Sequence, residues 1–299
     1  MSEPAIVHTV LADYPHTRPL KSGELTDPTL RLHFSEVEPV HKAFAPMVRN
    51  EAYDLSELAI VTCLQAIAYD RPVVLLPVVV ASRFQRGCLI AHASREIPKP
   101  DDLAGKRIGV RAYTQTTGMW VRAHLAEDYG VPPESVRWVT RDGAHVEQYS
   151  DPDYVEHSVG DKALVDLLRD GDVDAIVLGN DLPEGDEFVP VFSDDAERDQ
   201  SWWHQHGFMP INHMVVASRS LCRRDANAVR AAYDLLRRSD TEVARPAGQP
   251  TPTIFGFDRL TEPLTFIIDT CMEQNLLPHR LTVDDVFGPA RDILGDLGR

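Results

Sequence analysis

Short apolar runs of strand length alternate along this chain with stretches whose apolar residues recur at helical spacing, a pattern that predicts an α/β architecture with mostly parallel sheets. Residues 30–34 alternate apolar and polar and predict an early strand. Val40, Ala43, Phe44, Met47 and Val48 mark one face of a helix that Pro46 interrupts. Ser56 followed by Glu57 has the chemistry of an N-cap and an acidic first turn, which predicts a helix from there to about Tyr69. Residues 73–80 read as a buried strand with Pro77 at an edge or bulge, and 88–92 and 107–111 as further strands. A helix over 118–129 is closed by Gly130 at a left-handed C′ position, and another is expected over 161–169. Strands at 173–178 and 211–216 and helices near 226–238 and 264–274 complete the pattern.

Composition narrows the function more than the fold. The chain has 299 residues, enough for two domains. Its 46 acids against 30 bases give a net charge of −16, which argues against nucleic acid and against anionic membrane surfaces as partners. It does not exclude a small anionic ligand, because a local arginine cluster outweighs distant, salt-screened acids. Cys63, Cys88, Cys222 and Cys271 are too widely spaced for a zinc knuckle or a C-x-x-C redox pair. The apolar residues near the N-terminus are broken by His8, Asp13, Tyr14 and Pro15, so no secretory h-region is expected. No segment has the roughly 18 apolar residues of a membrane span. A cytoplasmic protein is the expectation.

Three stretches carry a resemblance. They are residues 99–110 (KPDDLAGKRIGV), residues 167–176 (LLRDGDVDAI) and the tail 275–287 (NLLPHRLTVDDVF). Together they resemble the type II periplasmic-binding-protein fold. That resemblance implies two mixed sheets flanked by helices, with an interlobe cleft that shuts on a ligand by hinge closure. Lobe one would be residues 1–87 with 211–299, and lobe two residues 88–210. Within that fold the chain is similar to the 4,5-dihydroxyphthalate decarboxylase family. The residues that carry this are Asp54-Leu55-Ser56-Glu57, the run PVVVASRFQR ending at Arg86, Tyr113 through Arg122, and Ile211-Asn212-His213. It departs at one position, where Gly87 follows Arg86 and the family's pattern has histidine. The resemblance implies a cofactor-independent carboxy-lyase acting on a hydroxylated, phthalate-like aromatic acid. No metal is expected, a small aromatic carboxylate is the partner, and a homo-oligomer stays open. A solute receptor of an ABC-type uptake system, or another small-carboxylate lyase such as a chorismate dehydratase, stands as the alternative, since fold alone does not decide.

Decarboxylation of an aryl acid needs a proton donor at the ring carbon, a grip on carboxylate and exclusion of water. Tyr113, Thr114, Gln115, Thr116 and Thr117 lie between a strand and a helix start, where backbone N–H groups and hydroxyls form an anion cradle; a plain N-cap is the competing reading. Ser56 is the matching position in lobe one, again as cap or ligand contact. Arg83 and Arg86 offer bidentate forks for carboxylate, or surface ion pairs. Arg122, one turn into its helix, is expected to pair with Glu or Asp. His213 is a general-acid candidate or a hydrogen-bonded core histidine, and His33 a second acid candidate. In Trp202-Trp203-His204-Gln205-His206 an extended backbone would put both histidines on one face and permit a metal; Trp203 as an aromatic lid on a planar ligand, or a packed loop, are the other readings.

Overall fold

The computed structural model of the protein describes residues 3–158, 160, 162–179, 182–246 and 248–299. The strands, in chain order, are β1 (Ala5–Val10), β2 (Leu30–Phe34), β3 (Leu55–Ala59), β4 (Val73–Ser82), β5 (Leu89–His92), β6 (Arg107–Val110), β7 (Arg137–Thr140), β8 (Val155–His157), β9 (Ala175–Val177), β10 (Phe188–Pro190), β11 (Ile211–Ser218) and β12 (Ile254–Phe255). They form two six-stranded sheets, ordered β12-β4-β11-β3-β1-β2 and β10-β5-β9-β6-β7-β8. Both mix directions. In the first, β1 runs parallel to β2 and β3 while β11 is antiparallel to β3 and β4. In the second, β6 is parallel to β7 and β9 while β5 is antiparallel to β9 and β10. The expectation of mostly parallel pairing therefore gives way to mixed sheets, because β11 and β5 enter against their neighbours. This is the two-lobed type II periplasmic-binding-protein architecture.

The chain divides into two compact units: residues 1–82, 211–269 and 279–299 form unit one, and 83–210 with 270–278 form unit two. Residues 83–87 and 270–278, expected in lobe one, thus count with unit two. Unit one is built on β3 and β4, buried on both faces, with the helix Ile60–Ala68 buried from Ile60 through Ala66. Pro77 lies inside β4, where it lacks the ladder N–H. The register between β11 and β4 shifts around Met214 and Val216, opposite Val79 and Leu75, so the proline sits at a bulge. Pro46 is tolerated because it falls in the first turn of the helix Phe44–Asn50, where an N–H has no helical partner; residues 40–43 form a separate tight turn.

In unit two the helix Leu164–Asp170 presses Leu164, Leu167 and Leu168 onto Ile90, Val139 and Ile176 of the sheet. Its expected start at Asp161 lies outside the described residues. Gly109 in β6 allows the close approach: a Cβ there would stand 3.0 Å from Ile176 and 3.2 Å from Leu164. The helix Thr116–Tyr129 ends at Gly130 with φ 64°, the left-handed conformation its position predicts. The last expected helix, 264–274, runs instead from Phe257 to Glu273 and carries Pro263 within it. Among the described residues, no helix is long and apolar enough to cross a membrane.

Candidate functional site

Unit one places a histidine against a buried carboxylate. His213 on β11 is 19% exposed at its side chain, and Glu57 on neighbouring β3 is wholly buried. Glu57 Oε1 accepts from His213 Nδ1 at 2.8 Å and from the Tyr14 hydroxyl at 3.0 Å, and Oε2 accepts from the Ala12 N–H at 2.6 Å. Three donors compensate the cost of burying the charge. An ionised carboxylate can only accept, so the proton sits on Nδ1 and the other ring nitrogen, Nε2, is left for chemistry. The edge of the Phe44 ring, 5.2 Å away at 88°, fixes the imidazole plane.

Two expected residues of unit one fall elsewhere. Ser56 is not at a helix start: it lies inside β3, wholly buried, and its hydroxyl donates to the Glu57 carbonyl at 2.9 Å. The run Leu55–Ala59 is buried on both faces, so pairing with β1 and β11 overrides the capping chemistry of Ser-Glu. His33 is exposed on β2, the outer strand, with β3 and β1 between it and His213's strand. At strand spacing that is roughly 14 Å, beyond any shared contact.

Unit two holds an unneutralised arginine beside a helix start. Arg83 Nη2 donates to the Thr117 hydroxyl at 3.1 Å and Nη1 to Cys88 Sγ at 3.1 Å, while its Nε is buried without a partner. No carboxylate pairs with it among the described residues. Thr114, Thr116 and Thr117 are all buried around the start of the helix Thr116–Tyr129, whose N-cap is Gln115. No side chain caps that helix, and Gln115 Oε1 is buried without a hydrogen bond. An arginine without a counter-ion, a hydroxyl and a positive helix end are the ingredients of an oxyanion or carboxylate grip.

The remaining unit-two expectations are corrected by packing. Arg86 is no free fork: at 1% exposure, its Nε and Nη2 bind Asp128 Oδ2 at 3.2 and 2.8 Å, and Nη1 binds Asp199. Burial pushes the Asp199 carboxyl up to about 6 despite the pull of Arg86. Tyr113 faces inward, its hydroxyl set between Tyr154 at 2.9 Å and the Gln274 carbonyl at 3.0 Å, and burial raises its phenol. Arg122 pairs with no acid among the described residues. Its guanidinium lies 3.9 Å over the Tyr113 ring, with Nε to Gln274 at 2.6 Å, Nη2 to the Tyr113 carbonyl at 2.7 Å, and Nη1 buried without a partner. At Gly87, where the pattern departs, a Cβ would come 3.1 Å from the Asp195 carboxylate. The Trp202–His206 stretch is helical, not extended, as part of the helix Asp195–His206. Acids at Asp195 and Glu197 in its first turn and Gly207 at its end favour that state. His204 and His206, two positions apart, therefore point roughly 200° apart, which removes the paired-ligand geometry. His206 binds Glu127 at 3.1 Å, and Trp203 is half-buried beside His204. Among the described residues, no group of three or more His, Cys, Asp or Glu is placed to hold a metal.

Glu57 and Tyr14 were missed as functional candidates. The signal for Glu57 was present: a carboxylate inside the run from Leu55 to Ile60, apolar apart from Ser56, is buried only with partners. Tyr14 gave none.

Comparison with known proteins follows the same lines. The family model described as "ABC transporter, phosphonate, periplasmic substrate-binding protein" matches residues 36–261. A 4,5-dihydroxyphthalate decarboxylase of Comamonas testosteroni is 29% identical over 267 residues, covering 79% of this chain and 77% of that protein. One of Pseudomonas putida is 30% identical over 181 residues, covering 56% of this chain and 67% of the relative. Among solved structures, the alkanesulfonate-binding protein SsuA of Xanthomonas axonopodis pv. citri, bound to MOPS, superposes with a TM-score of 0.59 at 14% identity, over 96% of this chain and 99% of that one.

Proposed function

We propose, for a chain that belongs to the 4,5-dihydroxyphthalate decarboxylase family within the wider phosphonate-type periplasmic substrate-binding family, that it removes carbon dioxide from a hydroxylated aromatic acid of the phthalate class. The reaction breaks one ring-to-carboxylate carbon bond, forms one ring C–H bond and consumes one proton. His213 delivers that proton from Nε2 to the ring carbon that bears the carboxylate, and Glu57, holding Nδ1, fixes the ring's tautomer and direction and balances the imidazolium. In unit two, Arg83 and Thr117 supply the chemistry to grip a carboxylate. A ring hydroxyl para to the departing group stabilises the protonated ring, so the ring itself carries the developing charge and the scheme calls for no separate electron sink.

The observation that supports this reading most is the wholly buried Glu57 carboxylate bound to a partly exposed histidine, in a chain of this family. A structural acid would be expected to pair with arginine or lysine; a carboxylate on imidazole Nδ1 is the arrangement that prepares a proton donor. The test is incubation with 4,5-dihydroxyphthalate and other phthalates, with and without a chelator, following carbon dioxide and the monocarboxylic product. Turnover that survives the chelator is expected. The match to a substrate-binding family of transporters favours a second reading, a solute receptor. That reading would be upheld, and the first abandoned, by tight reversible binding of unchanged ligand with no carbon dioxide released.

A further inference from the structure

Away from both groups of residues, unit one presents a pair of histidines that the proposed reaction does not use. β1 and β2 run parallel and in register, so His8 stands directly opposite His33. Equivalent positions on paired strands project to one face. That face is open: Val7 and Thr9 of β1 are wholly buried on the other side, while His8 and His33 are exposed and Ile6, two positions before His8, is 57% exposed. The two imidazoles lie with centroids 5.2 Å apart at 82°. No hydrogen bond ties down a ring nitrogen of either within the described residues. Asp54, close by, is committed: Oδ2 accepts the His8 backbone N–H at 3.0 Å and Oδ1 accepts Arg224 Nη2 at 2.8 Å. It anchors the backbone that carries His8.

The spacing has a chemical meaning. A dication bound ~2.0 Å from one nitrogen of each of two imidazoles, with near-tetrahedral angles, places the ring centroids roughly 5 Å apart. We infer that His8 and His33 form a two-histidine chelate for a transition-metal dication of the zinc and copper class, with water completing its shell. Imidazole nitrogens select these ions over magnesium and calcium, which prefer oxygen, and the general affinity order puts copper above zinc. The strands hold both Cα atoms in register, so each ring need only adjust its side-chain torsions to close on the ion. This site stands independently of the decarboxylase reading.

Titration calorimetry of the untagged, full-length protein with Zn2+ and with Cu2+ tests it, with Mg2+ as the control ion. One site per chain is expected, tighter for Cu2+ and silent for Mg2+. His8→Ala and His33→Ala should each weaken it at least about tenfold, since a chelate loses one of two ligands. His279→Ala, an exposed histidine elsewhere in unit one, should leave it unchanged. Both site histidines are exposed, so the melting temperature of each variant should match the parent and separate ligand loss from unfolding. No binding in the parent, or single variants that bind as tightly as the parent, would overturn the inference.

Discussion

At the scale of single residues, the proposed reaction assigns the proton to His213 and the hold on carboxylate to Arg83, and each assignment has its own test. His213→Gln keeps the shape but removes the acid, and should lower kcat about 100-fold or more while KM moves less than about threefold. Equal losses in both parameters would remove its assigned role. Arg83→Ala deletes a charge-assisted grip worth ~1.5–3 kcal/mol, and should raise KM by roughly 10- to 100-fold with kcat little changed. Arg86→Ala should behave differently from its neighbour. It removes the guanidinium from the buried Asp199 and the half-buried Asp128, and should cost ~3–5 kcal/mol of stability, read as a fall in melting temperature. Asp199 adds a pH dependence. Its carboxyl sits at about 6 in the fold against an ordinary 3.8, so the folded form binds the proton more tightly than the unfolded chain. Its stabilising contribution is then full below the unfolded value and is lost as pH rises through about 6. Urea unfolding between about pH 4 and pH 7 should show that decline, and Asp199→Asn should flatten it. Sequence reading singled out His213 and Arg83 because residue type and family motif agree there. It misjudged Arg86 because a guanidinium looks the same in sequence whether it meets substrate or two carboxylates brought from positions 128 and 199.

At the scale of elements, the pattern of apolar residues was a sound guide to which elements exist and a poor one to their type where local and tertiary preferences compete. Residues 73–80, 88–92 and 107–111 are strands as their patterns predict. Ser56-Glu57 imitates a helix start, yet the strand wins because β1 and β11 both pair with it. The tryptophan-histidine stretch looks loop-like from its composition, yet dipole-favoured acids at one end and a left-handed glycine at the other close it as a helix. Gly109 shows how an element's position can depend on one missing methyl. Gly109→Ala would press a Cβ against the Ile176 and Leu164 side chains, which must give way by a few tenths of an ångström between β6, β9 and the helix Leu164–Asp170. A loss of ~1–3 kcal/mol is expected, measured by denaturant unfolding. An unchanged midpoint would mean the helix has room to shift.

At the scale of the molecule, family motifs made the fold legible before any coordinate. The runs 99–110 and 167–176 lead into β6 and β9, which pair in the centre of one sheet. What they could not show is which distant residues complete each unit. Glu57 meets His213 across 156 positions, and no local pattern announces such a pair. A net charge of −16 is compatible with the proposed anionic substrate because Arg83 has no carboxylate partner among the described residues.

The second unit is not one continuous piece of chain, and that has a practical result. Gln274, from the nine-residue return segment 270–278, supplies the acceptor for Arg122, the carbonyl for Tyr113 and a donor to the Met119 carbonyl. A gene fragment encoding only 83–210 would therefore express a protein with a gap in its interior. Such a fragment should be poorly ordered alone and should gain structure when a synthetic peptide spanning 270–278 is mixed in. Split-protein complementation would work at this seam where simple excision fails.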